Sequence, residues 1–133
     1  MTVIQLCPCG SGSTFCKCCG PLLDGTKNAE TAMQLMRSRY TAFTKVYVDY
    51  LMRTHSAKTR PVGERKNIER WAKSVVWMGL KIIKAENGNT DDQNGHVEFK
   101  ATYLENGRPE QIHERSLFER ENGKWVYVSG VHL

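Results

Sequence analysis

His96-Val97-Glu98-Phe99-Lys100-Ala101-Thr102-Tyr103 decides the fold. Val97, Phe99, Ala101 and Tyr103 alternate with His96, Glu98, Lys100 and Thr102, and successive side chains of a strand point to opposite faces, so one face is apolar and the other wet. Such a strand belongs to an antiparallel sheet covered on one side. Turn signals bracket it: Asn87-Gly88 and a polar run to Gly95 before it, Asn106-Gly107 after it. Outside those turns, residues 76–86 carry Trp77, Leu80, Ile82 and Ile83 with a bulge expected at Gly79, and a further strand covers Gln111 to Glu121. Asn122-Gly123 then reads as a two-residue hairpin leading into a last strand from Lys124 to Ser129. The expectation is a four-stranded antiparallel meander.

Upstream of Val75 the apolar period changes to that of a helix. Met33, Met36, Tyr40, Phe43, Tyr47 and Tyr50 recur at steps of three and four, which predicts an amphipathic helix with Asn28 as its N-cap. It is expected to end or kink near Asp49, with a short turn through Tyr50, Leu51 and Met52. A third helix is expected from Glu64 to Ser74, burying Ile68, Trp71, Ala72 and Val75. Three helices followed by four strands make an α+β domain over residues 28–133, the helices segregated to one side of a curved sheet.

One face of the third strand is anomalous. Ile112, Glu114, Ser116 and Phe118 share it, which places an acid and a hydroxyl between apolar residues; His113, Arg115, Leu117 and Glu119 share the other, so neither face is cleanly polar and Glu114 or Arg115 must be partly enclosed. A buried charge needs a partner, and Arg37 or Arg39 on the long helix is the candidate for Glu114, with Arg37 also able to snorkel to water. An ion pair orienting helix on sheet is the first expectation; a ligand site is the second. His55, His96, His113 and His132 are scattered and none forms a motif with a serine or cysteine, so no nucleophile–base arrangement is legible. His55 reads as a cap or surface residue.

The N-terminal stretch carries the other signal. Cys7-Pro8-Cys9-Gly10-Ser11-Gly12 is followed by Cys18-Cys19-Gly20, and all five cysteines lie between positions 7 and 19. Two pairs supply four thiolates, the number a closed tetrahedral structural zinc site requires. A disulfide framework fits poorly with an odd count and no secretory signal peptide, and a redox pair fits poorly because C-x-C beside C-C is not C-x-x-C. The reading is one structural Zn²⁺ per chain, held by Cys7, Cys9, Cys18 and Cys19 in a knuckle-and-linker segment over residues 1–27. Cys16 is left as a spare thiol, and Leu22 and Leu23 are expected to pin the knuckle to the main domain.

Composition sets the frame. A length of 133 residues with 40% apolar content suits one compact domain plus a short appendage, and no stretch approaches the ~18 apolar residues of a membrane span. A soluble, cytoplasmic protein with no membrane partner is expected. The net charge of +5 is uneven: residues 29–75 carry +6 and residues 76–133 carry −2. The positive helical half reads as a solvated surface, or as a face for an acidic partner or nucleic acid.

The run C-P-C-G-S-G-x-x-x-x-x-C-C-G resembles the SEC-C motif, the small zinc-binding module also found at the C-terminus of the SecA translocase ATPase, and Phe15 falls on its aromatic position. Beyond it, Met36-Arg37-Ser38-Arg39-Tyr40-x-Ala42-Phe43, Asp49-Tyr50-Leu51, Trp77-x-Gly79-Leu80 and His113-Glu114-Arg115-Ser116 resemble the YchJ family. The resemblance implies a domain like nuclear transport factor 2, a cone of helices around a curved sheet that can enclose a pocket. Many family members carry a second SEC-C motif at the C-terminus; this sequence shows none up to Leu133. The first functional expectation is a protein-interaction or adaptor module that presents its zinc knuckle to a protein partner. The second is small-molecule binding or catalysis in the cone, lined by Arg39, Tyr40, Glu114 and Ser116. The third is ribosome or nucleic-acid binding through the basic helices, and the exposed sheet face is the expected surface for a homodimer.

Overall fold

A computed structural model describes residues 5–133; residues 1–4 of the segment assigned to the knuckle lie outside the described residues. The architecture is α+β. A 3₁₀ turn at Phe15–Lys17 and a single helical turn α1 (Gly20–Leu23) are followed by α2 (Ala32–Lys45), α3 (Val48–Arg53) and α4 (Arg65–Ser74). Four strands then run β1 (Val75–Asn87), β2 (Asn94–Glu105), β3 (Arg108–Glu121) and β4 (Lys124–His132), paired as an antiparallel meander in chain order.

The turns behave as their residues dictate. Asn106-Gly107 and Asn122-Gly123 each place two consecutive residues at positive φ, the geometry of the tight turns that match strand twist. β1 slips its register between Trp77 and Gly79, so the expected bulge is present. The inward face of β2 is Val97, Phe99 and Ala101, all buried, and it meets Leu35, Met36 and Tyr40 of α2 in one apolar cluster. The β1–β2 hairpin docks on the start of α2: Gly88 accepts a hydrogen bond from Ala32 N at 2.9 Å, and a Cβ on Gly88 would lie 2.6 Å from the Ala32 methyl.

The helical layer departs from the sequence reading in two places. The N-cap is Thr31, whose hydroxyl accepts from Gln34 N at 3.1 Å, not Asn28. The break falls at Val46, three residues before Asp49. Val46 adopts φ 60, and its N–H and that of Tyr47 fold back onto Phe43 O and Ala42 O. This is a Schellman-type closure with valine where glycine is usual. Tyr47 consequently leaves the apolar stripe and stands 48% exposed, and α3 turns back beneath α2. The segment after α3 is then sewn to the sheet, Ser56 N donating to Tyr127 O at 2.7 Å and Tyr127 N to Thr54 O at 2.8 Å.

Candidate metal centre and cone cavity

The knuckle is a loop closed on itself. Leu6 bridges Thr14, Cys7 N donates to Ser13 O at 2.8 Å, and Gly10 and Gly12 turn the chain at positive φ. Cys7 and Cys9 thereby face Cys18 and Cys19, and the four Sγ atoms lie within 4.8 Å of one another. Cys9 Sγ stands 3.6 Å from Cys18 Sγ, and Cys18 Sγ 3.9 Å from Cys19 Sγ. Tetrahedral coordination with metal–sulfur bonds of about 2.3 Å sets ligand sulfurs about 3.8 Å apart, so the donor set fits a metal ion. None of the five cysteines is in a disulfide, and Cys16 lies outside the cluster on the surface.

Protonation in the cluster follows from crowding. The hydrogen bond from Cys19 pulls the Cys9 thiol down to about 4. With that thiolate formed, Cys9 holds the proton on Cys19, and burial pushes the Cys18 thiol up. A divalent cation reverses this balance, because a coordinating thiol is deprotonated outright.

The knuckle is fastened to the helices, not hung from them. Cys7, Cys9 and Cys19 are buried in the same cluster as Leu35 and Tyr40, joined by Leu22 and Leu23. Arg37 Nη1 donates to Cys9 O at 2.7 Å, so Arg37 neither pairs with Glu114 nor snorkels away. Arg53 Nη2 reaches Leu22 O and Leu23 O, each at 3.3 Å, and Cys7 Sγ lies 3.7 Å from Thr41 Oγ1.

On the other side of α2 lies a cavity of about 260 Å³. Arg39, Tyr40, Glu114 and Ser116 all line it, together with Phe43, His55, Trp71, Trp77 and Tyr127. Its polar end is built on β3 and β4. Glu114 is 9% exposed; its Oε2 accepts from Ser116 Oγ at 2.5 Å and from Tyr127 OH at 3.3 Å. Gly130 lies opposite Ser116 on β4, and a Cβ there would overlap the Glu114 carboxylate, so the glycine keeps room for the acid.

The expected ion pair between Glu114 and a helix arginine does not form. Arg39, 7% exposed, spends Nη1 on Leu51 O and Thr54 Oγ1, each at 2.8 Å, and stacks 4.8 Å over the Tyr127 ring. The break at Val46 brings α3 close enough to claim the guanidinium first. Burial lowers Arg39 to about 10, which leaves it a cation at neutral pH. His55 sits inside the cavity with its ring 5.1 Å from that of Tyr127, and burial with the Arg39 and Arg60 charges holds it down to about 4, hence neutral. The sequence reads His55 as a cap or surface residue; it does follow the helix end at Thr54, and its place against the cavity comes from the pairing of residues 54–56 with β4, which no local pattern signals. The same pairing brings Tyr127 to the cavity, while Trp77 reaches it from β1. A larger groove of about 360 Å³ runs past Lys27, Arg53 and Lys124, but these cations stand in water.

The comparisons with known proteins agree with this architecture. Residues 31–130 match the family described as YchJ, middle NTF2-like domain. A UPF0225 protein of Geobacter sulfurreducens is 39% identical over 126 residues, covering 95% of this chain and 78% of the relative. The solution structure of a SEC-C motif containing protein from Rhodopseudomonas palustris superposes with a TM-score of 0.87 at 32% identity, covering 96% of this chain and 98% of the other. The crystal structure of a SEC-C motif containing protein from Psychrobacter arcticus gives a TM-score of 0.81 at 30% identity, covering 95% and 81%. A knuckle of four clustered cysteines on an NTF2-like cone, matched over nearly its full length, makes this chain a member of the YchJ (UPF0225) family.

Proposed function

We propose that this protein binds a small molecule in its cone, and that the knuckle, holding one structural Zn²⁺, fixes the helix forming the cone's wall. The observation that carries the reading is the enclosure of Arg39 and Glu114, oppositely charged and each about nine-tenths buried, in one cavity with apolar walls. Burying charge is costly unless it is used, and an apolar pocket with a few convergent polar groups is the usual form of a ligand site. Four soft thiolates at tetrahedral spacing, three of the four cysteines buried, favour zinc. The metal's chemistry there is to neutralise and cross-link thiolates.

The test follows the indole N–H signals of ¹⁵N-labelled, zinc-loaded protein during titration with a library of small aromatic and aliphatic compounds. Trp77 lines the cavity, whereas Trp125 donates to Glu30 O outside it. Saturable shifts at Trp77 with Trp125 unmoved support the reading. A library that moves neither would sink it. Metal analysis of protein purified without chelator should return one zinc per chain.

A second reading, docking of a protein partner in the cytoplasm, is favoured by the knuckle's outer rim, where Leu6 is 64% exposed beside exposed residues 10–13 and Lys17. Capture of one defined partner by the wild type and its loss in Leu6→Glu, with the metal retained, is the expected result for that reading.

A further inference from the structure

We propose that the cone's ligand is a small zwitterion with an apolar body, of the aromatic α-amino acid class. Its carboxylate would sit on Arg39, its ammonium on Glu114, and its side chain against the walls of Trp71 and Trp77. The inference rests on the small-molecule reading above and narrows it.

The first argument is unspent bonding capacity. Arg39 commits only Nη1; Nε and Nη2 have no hydrogen-bond partner among the described residues. A guanidinium offers five donors in a planar fork suited to a carboxylate. Glu114 commits Oε2, while Oε1 accepts no hydrogen bond from the described residues and lies 3.7 Å from the exposed His132 Nε2. Each group is thus held in place by the protein through one atom and left open through another.

The second argument is charge balance. The two groups make no ion pair with each other, because Tyr127 stands between them: its ring lies under the Arg39 guanidinium and its hydroxyl reaches Glu114. With His55 neutral, the cavity holds one cation and one anion. A ligand with net charge would leave one of these two largely buried groups uncompensated, which is costly. A ligand carrying both charges satisfies each and adds none.

The third argument is shape. Tyr40, Phe43, Trp71 and Trp77 meet edge to face or tilted at 5.3–6.2 Å, a rigid aromatic wall. The Trp77 ring is part of that wall, and its Nε1, itself buried, has no hydrogen-bond partner among the described residues. A volume of about 260 Å³ is near the small end of ligand sites, at about 300 Å³, and suits one ring with a short polar head.

Calorimetry and the Trp77 indole signal on zinc-loaded protein test this with four probes: L-phenylalanine, phenethylamine (no carboxylate), 3-phenylpropionate (no ammonium) and benzyl alcohol (neither). Phenylalanine binding at least tenfold tighter than each of the other three is the expected result. In Glu114→Gln, which keeps an acceptor for Ser116 and Tyr127, the advantage over 3-phenylpropionate should vanish. A probe lacking one charge that binds within threefold of phenylalanine, or better, overturns the zwitterion and leaves the cone reading standing. If no probe shifts Trp77, benzyl alcohol included, both fall. The wild-type probe series needs no variant to fold.

Discussion

Gly130→Ala tests the geometry of the polar end directly. Position 130 does not need glycine for its backbone, because its φ is not in the left-handed region. It needs glycine for space: the three atoms nearest an added Cβ are Oε2, Cδ and Cγ of Glu114. The substitution therefore forces the carboxylate to swing away, breaking its bonds from Ser116 and Tyr127 in a buried site. Because the swing relieves the overlap, either the overpacking or the unsatisfied buried group is left, each worth about 1–3 kcal/mol, so a loss of about 1–3 kcal/mol is expected, or about 4–12 °C in Tm for a domain of this size. Glu114→Ala removes the obstacle. In that background Gly130→Ala should be neutral or gain about 0.5 kcal/mol, as a strand glycine replaced by alanine otherwise does. Urea unfolding of the four proteins, zinc-loaded at pH 7, closes the double-mutant cycle. A coupling energy of about 1.5 kcal/mol or more is expected. Strict additivity, within about 0.5 kcal/mol, would show that Glu114 does not lie over Gly130 and would refute the placement of the carboxylate.

Chelation of the metal, or Cys18→Ser, should lower the thermal midpoint of the whole protein, whereas Cys16→Ser should leave metal content and midpoint unchanged; a midpoint insensitive to chelation would separate knuckle from cone. Arg37→Met keeps the aliphatic stem but loses the bond to Cys9 O, and should cost about 1.5–3 kcal/mol in urea unfolding while raising the rate of metal loss to a chelator. Stability should fall as pH drops from about 6.5 towards 4, because the unfolded chain protonates His55 while the folded cavity refuses the proton. His55→Gln should flatten that part of the curve; coincident wild-type and variant profiles would place His55 in water.

Much of this fold is written locally. The alternation of residues 96–103 and the Asn-Gly pairs at 106 and 122 specify strands and turns within a few residues of themselves, and the meander follows with little tertiary help. The thiol pairs are local as well. Strand parity groups Glu114 and Ser116 with Ile112 and Phe118, but the opposite face, with His113, Arg115, Leu117 and Glu119, is no more cleanly polar. Parity alone therefore leaves Glu114 or Arg115 as the enclosed charge, and the helical layer decides for Glu114. The remainder depends on Val46. A β-branched residue at φ 60 carries no sequence signature, since glycine or asparagine is expected there. Yet that break directs α3 back towards α2, presents Leu51 O and Thr54 to Arg39, and carries His55 to Tyr127. The expected ion pair that does not form and the overlooked approach of His55 to Tyr127 have one origin, a strained backbone that overrode local preference.

The same helix joins the cysteine knuckle to the cone. α2 is a wall with two sides. Arg37 and Thr41 face the knuckle, bound to Cys9 O and beside Cys7 Sγ; Met36, Arg39, Tyr40 and Phe43 face the cavity. The helix has 14 residues, close to the length at which an isolated helix is marginal in water, so packing supplies its stability. On the cone side that packing is incomplete by construction, because a cavity gives the helix fewer atoms to touch. The knuckle makes up the deficit from behind. Cys7, Cys9, Cys19, Leu22 and Leu23 cover the outer side of α2, and a metal bound only by the folded cluster stabilises whatever is packed on it. On the proposed reading, a hollow cone whose two charges do not pair with each other would be kept open by a metal cross-link outside it, at a cysteine cluster that shares no residue with the cavity lining.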